Sequence, residues 1–194
     1  MIKALRGYVR IVDAMNRGVG RAVMWGLFAM MGILLFSSIS KTFFQPSLWT
    51  LEMAQFAMVA YYVLGGPYSI QLGSSVRMDL FYHRWTDRRK AWFDAITVLL
   101  LIFYLGVLLY GGLGSTAYSF GYWGTEPISY FAGLLAGSEE IGRLERSSTA
   151  WRPYIWPIKF IMVLGFSLML LQAVSELFKD IARINGLEFE GART

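Results

Sequence analysis

Four apolar runs of membrane-crossing length dominate the chain, and no Asp, Glu, Lys, Arg or His falls in the middle of any of them. They cover residues 22–40, 51–70, 92–113 and 157–178. A helix needs about 20 apolar residues to cross the bilayer core, where only its own hydrogen bonds satisfy its backbone. The expected fold is therefore an all-α membrane protein. It is a single membrane domain over residues 1–194, with four transmembrane helices plus an N-terminal amphipathic interfacial helix over residues 1–21. Charged residues make up 16% of the chain, against about 25% in a soluble domain. The chain contains no cysteine, which excludes a disulfide framework and thiolate chemistry. Its net charge of +5 is gathered beside the apolar runs, the pattern of membrane anchors rather than of nucleic-acid binding.

Residues 2–19 have helical periodicity, with Leu5, Tyr8, Val9, Val12, Met15 and Val19 on one side. Lys3, Arg6, Arg10, Asp13 and Arg17 take the other. This reads as a helix in the headgroup layer with its basic residues toward anionic lipid. It is not the pattern of a cleavable signal, whose apolar core directly follows the first basic residues. In the first span, Trp25 and the later Trp49 fit an interfacial aromatic belt. Ser37, Ser38 and Ser40 can bond backbone carbonyls or a neighbouring helix.

The stretch Leu51–Asp79 organises the rest. Thr50 is placed to cap the second helix, which puts Glu52 in its first turn, where the helix dipole favours an anion. Gln55 follows three residues later and is expected on the same face. Glu52 serves either the helix start or a partner helix; both readings are open at this stage. Gly65-Gly66-Pro67 is expected to loosen or kink the far end. Beyond it come Arg77 and Asp79, then His83, the sole histidine, and the basic Arg84, Arg88, Arg89 and Lys90.

Asp87 or Thr86 can cap the third span, Asp94 stands in ion-pair register with Lys90, and Gly111, Gly112 and Gly114 are expected to close it. In the 114–153 connection, residues 127–137 are apolar but too short to cross, so an interfacial or re-entrant segment is expected. The Gly133–Gly137 spacing hints at helix packing. In the fourth span Pro157 suits a first turn, Lys159 is expected to snorkel outward, and Gln172 and Glu176 share a face. Thirteen Lys/Arg fall in the N-terminus, the 71–91 loop and the tail, against five elsewhere. The positive-inside rule then puts both termini in the cytoplasm and the 114–153 connection in the periplasm.

The spans carry no buried ionisable pair of the kind a transport core uses. Haem would need axial ligands inside the bundle, and no paired-carboxylate, Ser/His or phosphate-loop pattern stands out, so no cofactor is expected. The second span and its exit resemble the small membrane subunit (DctQ type) of tripartite ATP-independent periplasmic (TRAP) transporters. The resemblance rests on Glu52, Leu64-Gly65 and Ser75-Val76-Arg77-Met78-Asp79, where Ser75 stands for the family's frequent histidine. Asp94, Trp151-Arg152-Pro153-Tyr154, Gly165-Phe166 and Leu170–Leu177 extend it over most of the chain. It implies a scaffold subunit in a bacterial inner membrane, not an enzyme. The implied partners are a large many-helix membrane subunit, which carries organic acid and sodium, and a periplasmic binding protein. On that resemblance the partner-interface candidates are Glu52, Gln55, Gly65, Arg77 and Asp79. Lys3, Arg6, Arg10, Arg17, Arg88 and Arg89 would meet lipid. A self-assembling channel and a membrane anchor of a redox complex are the competing classes.

Overall fold

The computed structural model describes residues 2–72 and 87–184, all of whose named elements are helices. They are α1 (Ile2–Met24), α2 (Gly26–Phe43), α3 (Thr50–Gln71), α4 (Asp87–Ser119), α5 (Pro127–Ala136) and α6 (Trp156–Ile184). Three stretches are long and apolar enough to cross a membrane: Leu5–Phe43, Trp92–Ser119 and Trp156–Ala182. α3, at 22 residues, has the length for about 33 Å. Glu52, Gln55, three tyrosines and the Gly65-Gly66-Pro67 triplet dilute its apolar character.

The long helices stand in a row, in the order α2, α3, α6, α4. Contacts fix their directions. Gly26 meets Tyr61 at one end of the α2/α3 pair, and Thr50 meets Ser37 at the other, so the two are antiparallel. Val63 abuts Gly165 and Gly66 abuts Met169, so α3 and α6 run parallel. Gly112 faces Val163 and the Ser115 carbonyl faces Lys159, so α4 and α6 are antiparallel. α1 crosses the row at one end, packing on α3 and α6. Only Trp25 interrupts the helical path from α1 into α2.

Glycines set how closely the row packs. Pro67 is fully buried and does not end α3. It has no N–H for the carbonyl of Val63, four residues earlier. That carbonyl lies against Gly165, where a Cβ would fall 3.0 Å from the oxygen. The missing side chain lets the two backbones approach closely. Gly20 of α1 likewise admits the Tyr68 ring, with a Cβ position only 2.5 Å from its Cγ.

Several expectations need correction. Gly111, Gly112 and Gly114 do not close α4, which continues to Ser119; Gly112 instead packs against Val163. The stop comes at Gly121, whose φ of +87° a residue with a Cβ adopts only under strain. There the Tyr122 amide donates to Ala117 and the Gly121 amide to Tyr118, which satisfies the last carbonyls of the helix. Gly133 and Gly137 are not a packing seam. Gly137 has a φ of +74° and ends α5 in the same way, with Ser138 and Gly137 donating to Gly133 and Leu134. Thr50 is not a side-chain cap; its hydroxyl ties the α2–α3 turn by bonds with Ser37 and Ser47.

Candidate functional site

Two polar clusters and one exposed stripe hold the groups that define the molecule's edges. The first cluster joins α1 to α6. Val9, Val12, Asn16 and Gly20 form the buried side of α1, and Asp13 sits on the same arc. Gln172, fully buried, donates to Asp13 Oδ1 at 2.9 Å and accepts from Asn16 Nδ2 at 2.6 Å. Ser175 donates to the same Asp13 oxygen at 3.2 Å. Lys179 Nζ lies 2.7 Å from Asp13 Oδ2 and 2.8 Å from Glu176 Oε1. Tyr8 adds a hydrogen bond to the Leu171 carbonyl and an edge-on contact with Phe178. A buried amide or ammonium is costly unless its polar atoms find partners; in this cluster Asn16 Oδ1 is left without one, and the remaining bonds lock α1 to one position on α6. Asp13 therefore does not belong with the solvated charges of α1, as its sequence neighbours suggest. Gln172 and Glu176, expected on one face, are hydrogen-bonded to each other at 3.2 Å.

The second cluster pins the α4–α6 connection. Glu145 Oε2 accepts from Ser119 Oγ at 2.6 Å and from Lys159 Nζ at 2.7 Å. Lys159 also reaches the Ser115 carbonyl and the Tyr118 ring, so it is tethered rather than snorkelling. The backbone completes the joint: Gly142 donates to Phe120, Glu145 to Ser119 and Ile155 to Glu145. Burial on its own would raise the Glu145 carboxyl, but the hydrogen bonds from Lys159 and Ser119 and the Lys159 charge outweigh it. The net shift is downward from an ordinary 4.5. A carboxylate whose folded pKa is depressed adds stability that is complete above its unfolded value and lost as pH falls through the folded one. Amide protection at Gly142 and Glu145, corrected for intrinsic exchange, should therefore hold above pH 4.5 and decline as the pH falls further. Glu145→Gln should flatten that pH dependence; a profile unchanged by it would discount the pair.

The proposed interface residues divide. Gln55 lies on an exposed stripe of α3 with Leu51, Met58, Tyr62 and Ser69, and Gly65 beside it opens on free space. Glu52 does not share that stripe. It is 6% exposed, on the side of α3 turned to α6, and its Oε2 has no hydrogen-bond partner. Three helical residues turn 300°, enough to move a side chain from the buried arc to the open one. Gly66, not Gly65, packs inside the row. Arg77 and Asp79 lie outside the described residues. Arg6, Arg10 and Arg17 are exposed on α1, Lys3 lies in its first turn, and Arg88 and Arg89 lie in the first turn of α4.

Sequence reasoning missed Asn16, Lys179, Glu145 and the glycines Gly20 and Gly165. The 9-12-13-16-20 spacing on α1 is the one signal that marks Asp13 and Asn16 as inward. No Asp, Glu, Lys, Arg or His occurs between Asp94 and Ser119 or between Lys159 and Glu176. Charge is thus confined to the ends of α4 and α6.

The decisive comparison is with protein families. The model of the family described as "Tripartite ATP-independent periplasmic transporters, DctQ component" matches residues 30–183. The chain belongs to this family. DctQ proteins are membrane components of transporters, not an enzyme family, and they work with further components of the same systems. No curated protein and no solved structure gave a match. The matched range takes in α3, α4, α5, nearly all of α6 and α2 beyond its first turn, but leaves out α1. The α1–α6 lock therefore joins a segment outside the DctQ match to the DctQ body.

Proposed function

We propose that the chain is the static small subunit of a sodium-coupled, binding-protein-dependent TRAP transporter that imports organic acids. In this reading it spans a bacterial inner membrane four times, with both termini cytoplasmic. It packs against the large subunit and does not itself carry substrate. The observation that carries the proposal is the open row of helices with charge only at its ends. A carrier needs polar groups converging near the midplane, and a row encloses no lumen within one copy. The alternating directions of α2, α3, α4 and α6 agree with four crossings. The exposed arginines of α1 and the basic first turn of α4 would face anionic headgroups; Lys3, Arg6, Arg10, Arg17, Arg88 and Arg89 are the residues concerned.

The large subunit is placed on the open stripe of α3. Packing between helices in lipid relies on small residues and a few polar contacts, because lipid tails are as apolar as leucine. Gln55 and Gly65 supply one of each. Glu52, buried within the chain, is not part of that stripe. An interhelical polar contact is worth about 0.6 kcal/mol, so Gln55→Leu should weaken co-purification of the large subunit roughly threefold. Gly65→Phe, which fills the open space, should weaken it further while leaving the thermal stability of the isolated chain unchanged. Full recovery of the large subunit with both variants would move the docking face elsewhere.

A further inference from the structure

α5 is too short to cross a bilayer, yet it contains no charged residue. A surface helix in water carries a polar outer face; α5 has a single exposed polar side chain, Ser129, and its hydroxyl donates to the Glu126 carbonyl at 2.9 Å. Its inner side holds Tyr130, buried and stacked on Tyr122, and Phe131, edge-on to Phe120. Its outer side is a ridge of Ile128, Ala132 and Leu135. Leu135 is 91% exposed, and Trp123, just ahead of the helix, is 80% exposed.

The position of α5 indicates what covers this ridge. The unbroken run of exposed apolar side chains on α4 goes from Trp92 to Tyr110, with Tyr118 alone exposed two turns beyond it; the run makes a band of about 27 Å. That is close to the roughly 30 Å hydrocarbon thickness of a bilayer. After Gly121 turns the chain, it folds back along α4, and the Tyr110 hydroxyl donates to the Thr125 carbonyl at 3.4 Å. α5 begins two residues later. It therefore starts beside the residue that ends the lipid-length band, at the depth where hydrocarbon gives way to headgroups. Tyr110, Tyr118, Tyr122 and Trp123 surround that level, and the bilayer interface favours such side chains.

We propose that α5 is a lipid-contacting foot, with Ile128, Ala132, Leu135 and Trp123 seated in the interfacial layer of the leaflet nearest the C-terminal end of α4. The proposal rests on α4 spanning the membrane and is independent of which transporter the chain serves. It makes the α4–α6 connection a cap held down at both sides: by Glu145 and Lys159 on the helices, and by α5 on the lipid.

The absence of cysteine makes the test direct. Single variants Ile128→Cys, Leu135→Cys, Ser148→Cys and Leu100→Cys of the full chain are spin-labelled in phosphatidylcholine/phosphatidylglycerol vesicles. Accessibility to oxygen and to a water-soluble nickel chelate is then measured for each. The labels at Ile128 and Leu135 should show an oxygen-to-nickel ratio above that at Ser148 and below that at Leu100. Ratios equal to that at Ser148 would place α5 in water and overturn the proposal. Exclusion of both reagents would mean cover by protein and would overturn it too. A water-like ratio at Leu100 would instead refute the crossing by α4 on which it rests.

Discussion

Lys179→Met is expected to release α1 from the row and to cost about 3–5 kcal/mol, the range for removing one partner of a buried ion pair. Lys179 bridges the carboxylates of Asp13 and Glu176. Removing it leaves two carboxylates facing each other across Gln172, with little water to relieve them. For a domain of this size, about 2–4 °C of Tm follows each kcal/mol, so the midpoint in detergent should fall by roughly 10 °C. Trypsin should then cut at Arg17 or Arg21 under conditions that leave the parent chain whole. Asp13→Asn combined with Lys179→Met should lose less than the sum of the single changes, because the pair is coupled. Strict additivity would show that the two side chains act independently and that the lock is held by Gln172 and Tyr8 instead.

The second large effect is expected at Gly165. Even a Cβ there would press on Val63, including its carbonyl oxygen at 3.0 Å and carbonyl carbon at 3.1 Å. Backbone cannot swing away as a side chain can, so Gly165→Leu should force α3 from α6. Overpacking of this kind costs about 1–3 kcal/mol where the surroundings yield, and more where they do not. Gly65→Ala is the matched control: one turn from the same crossing on α3, it opens on free space and should leave the midpoint unchanged. Thermal unfolding of the two variants side by side decides the point. Equal midpoints would mean that α3 and α6 do not meet at Gly165.

How much of this was legible in the sequence differs from element to element. The spans are visible because the absence of charge accumulates over 20 or so residues, and no local accident can imitate it. Their ends are less so. Gly111, Gly112 and Gly114 look like a stop, yet glycine merely weakens a helix, and α4 tolerates the three because α6 packs against Gly112. The true stop, Gly121, is recognisable only once its backbone conformation is known. Asp13 was grouped with the arginines of α1 since any one-helix view counts charge as outward. Its partners lie some 160 residues away on α6, and only the apolar residues bracketing it hint at burial. Glu145 and Lys159 are joined through a loop with no period at all. For the interface candidates, type was readable and direction was not: Glu52 and Gln55 are three residues apart, and the narrow buried arc of α3 separates them.

The proposal that the chain supports a transporter without carrying substrate is tested most directly by solute uptake into vesicles under an imposed sodium gradient. Three preparations are compared: this chain alone, the large subunit with its binding protein, and all three together. The open row with no Asp, Glu, Lys, Arg or His along the middle of α4 and α6 predicts no saturable uptake by the chain alone. It also predicts uptake by the complete set that exceeds that of the large subunit with its binding protein. Saturable, sodium-dependent uptake of an organic acid by this chain alone would contradict the account.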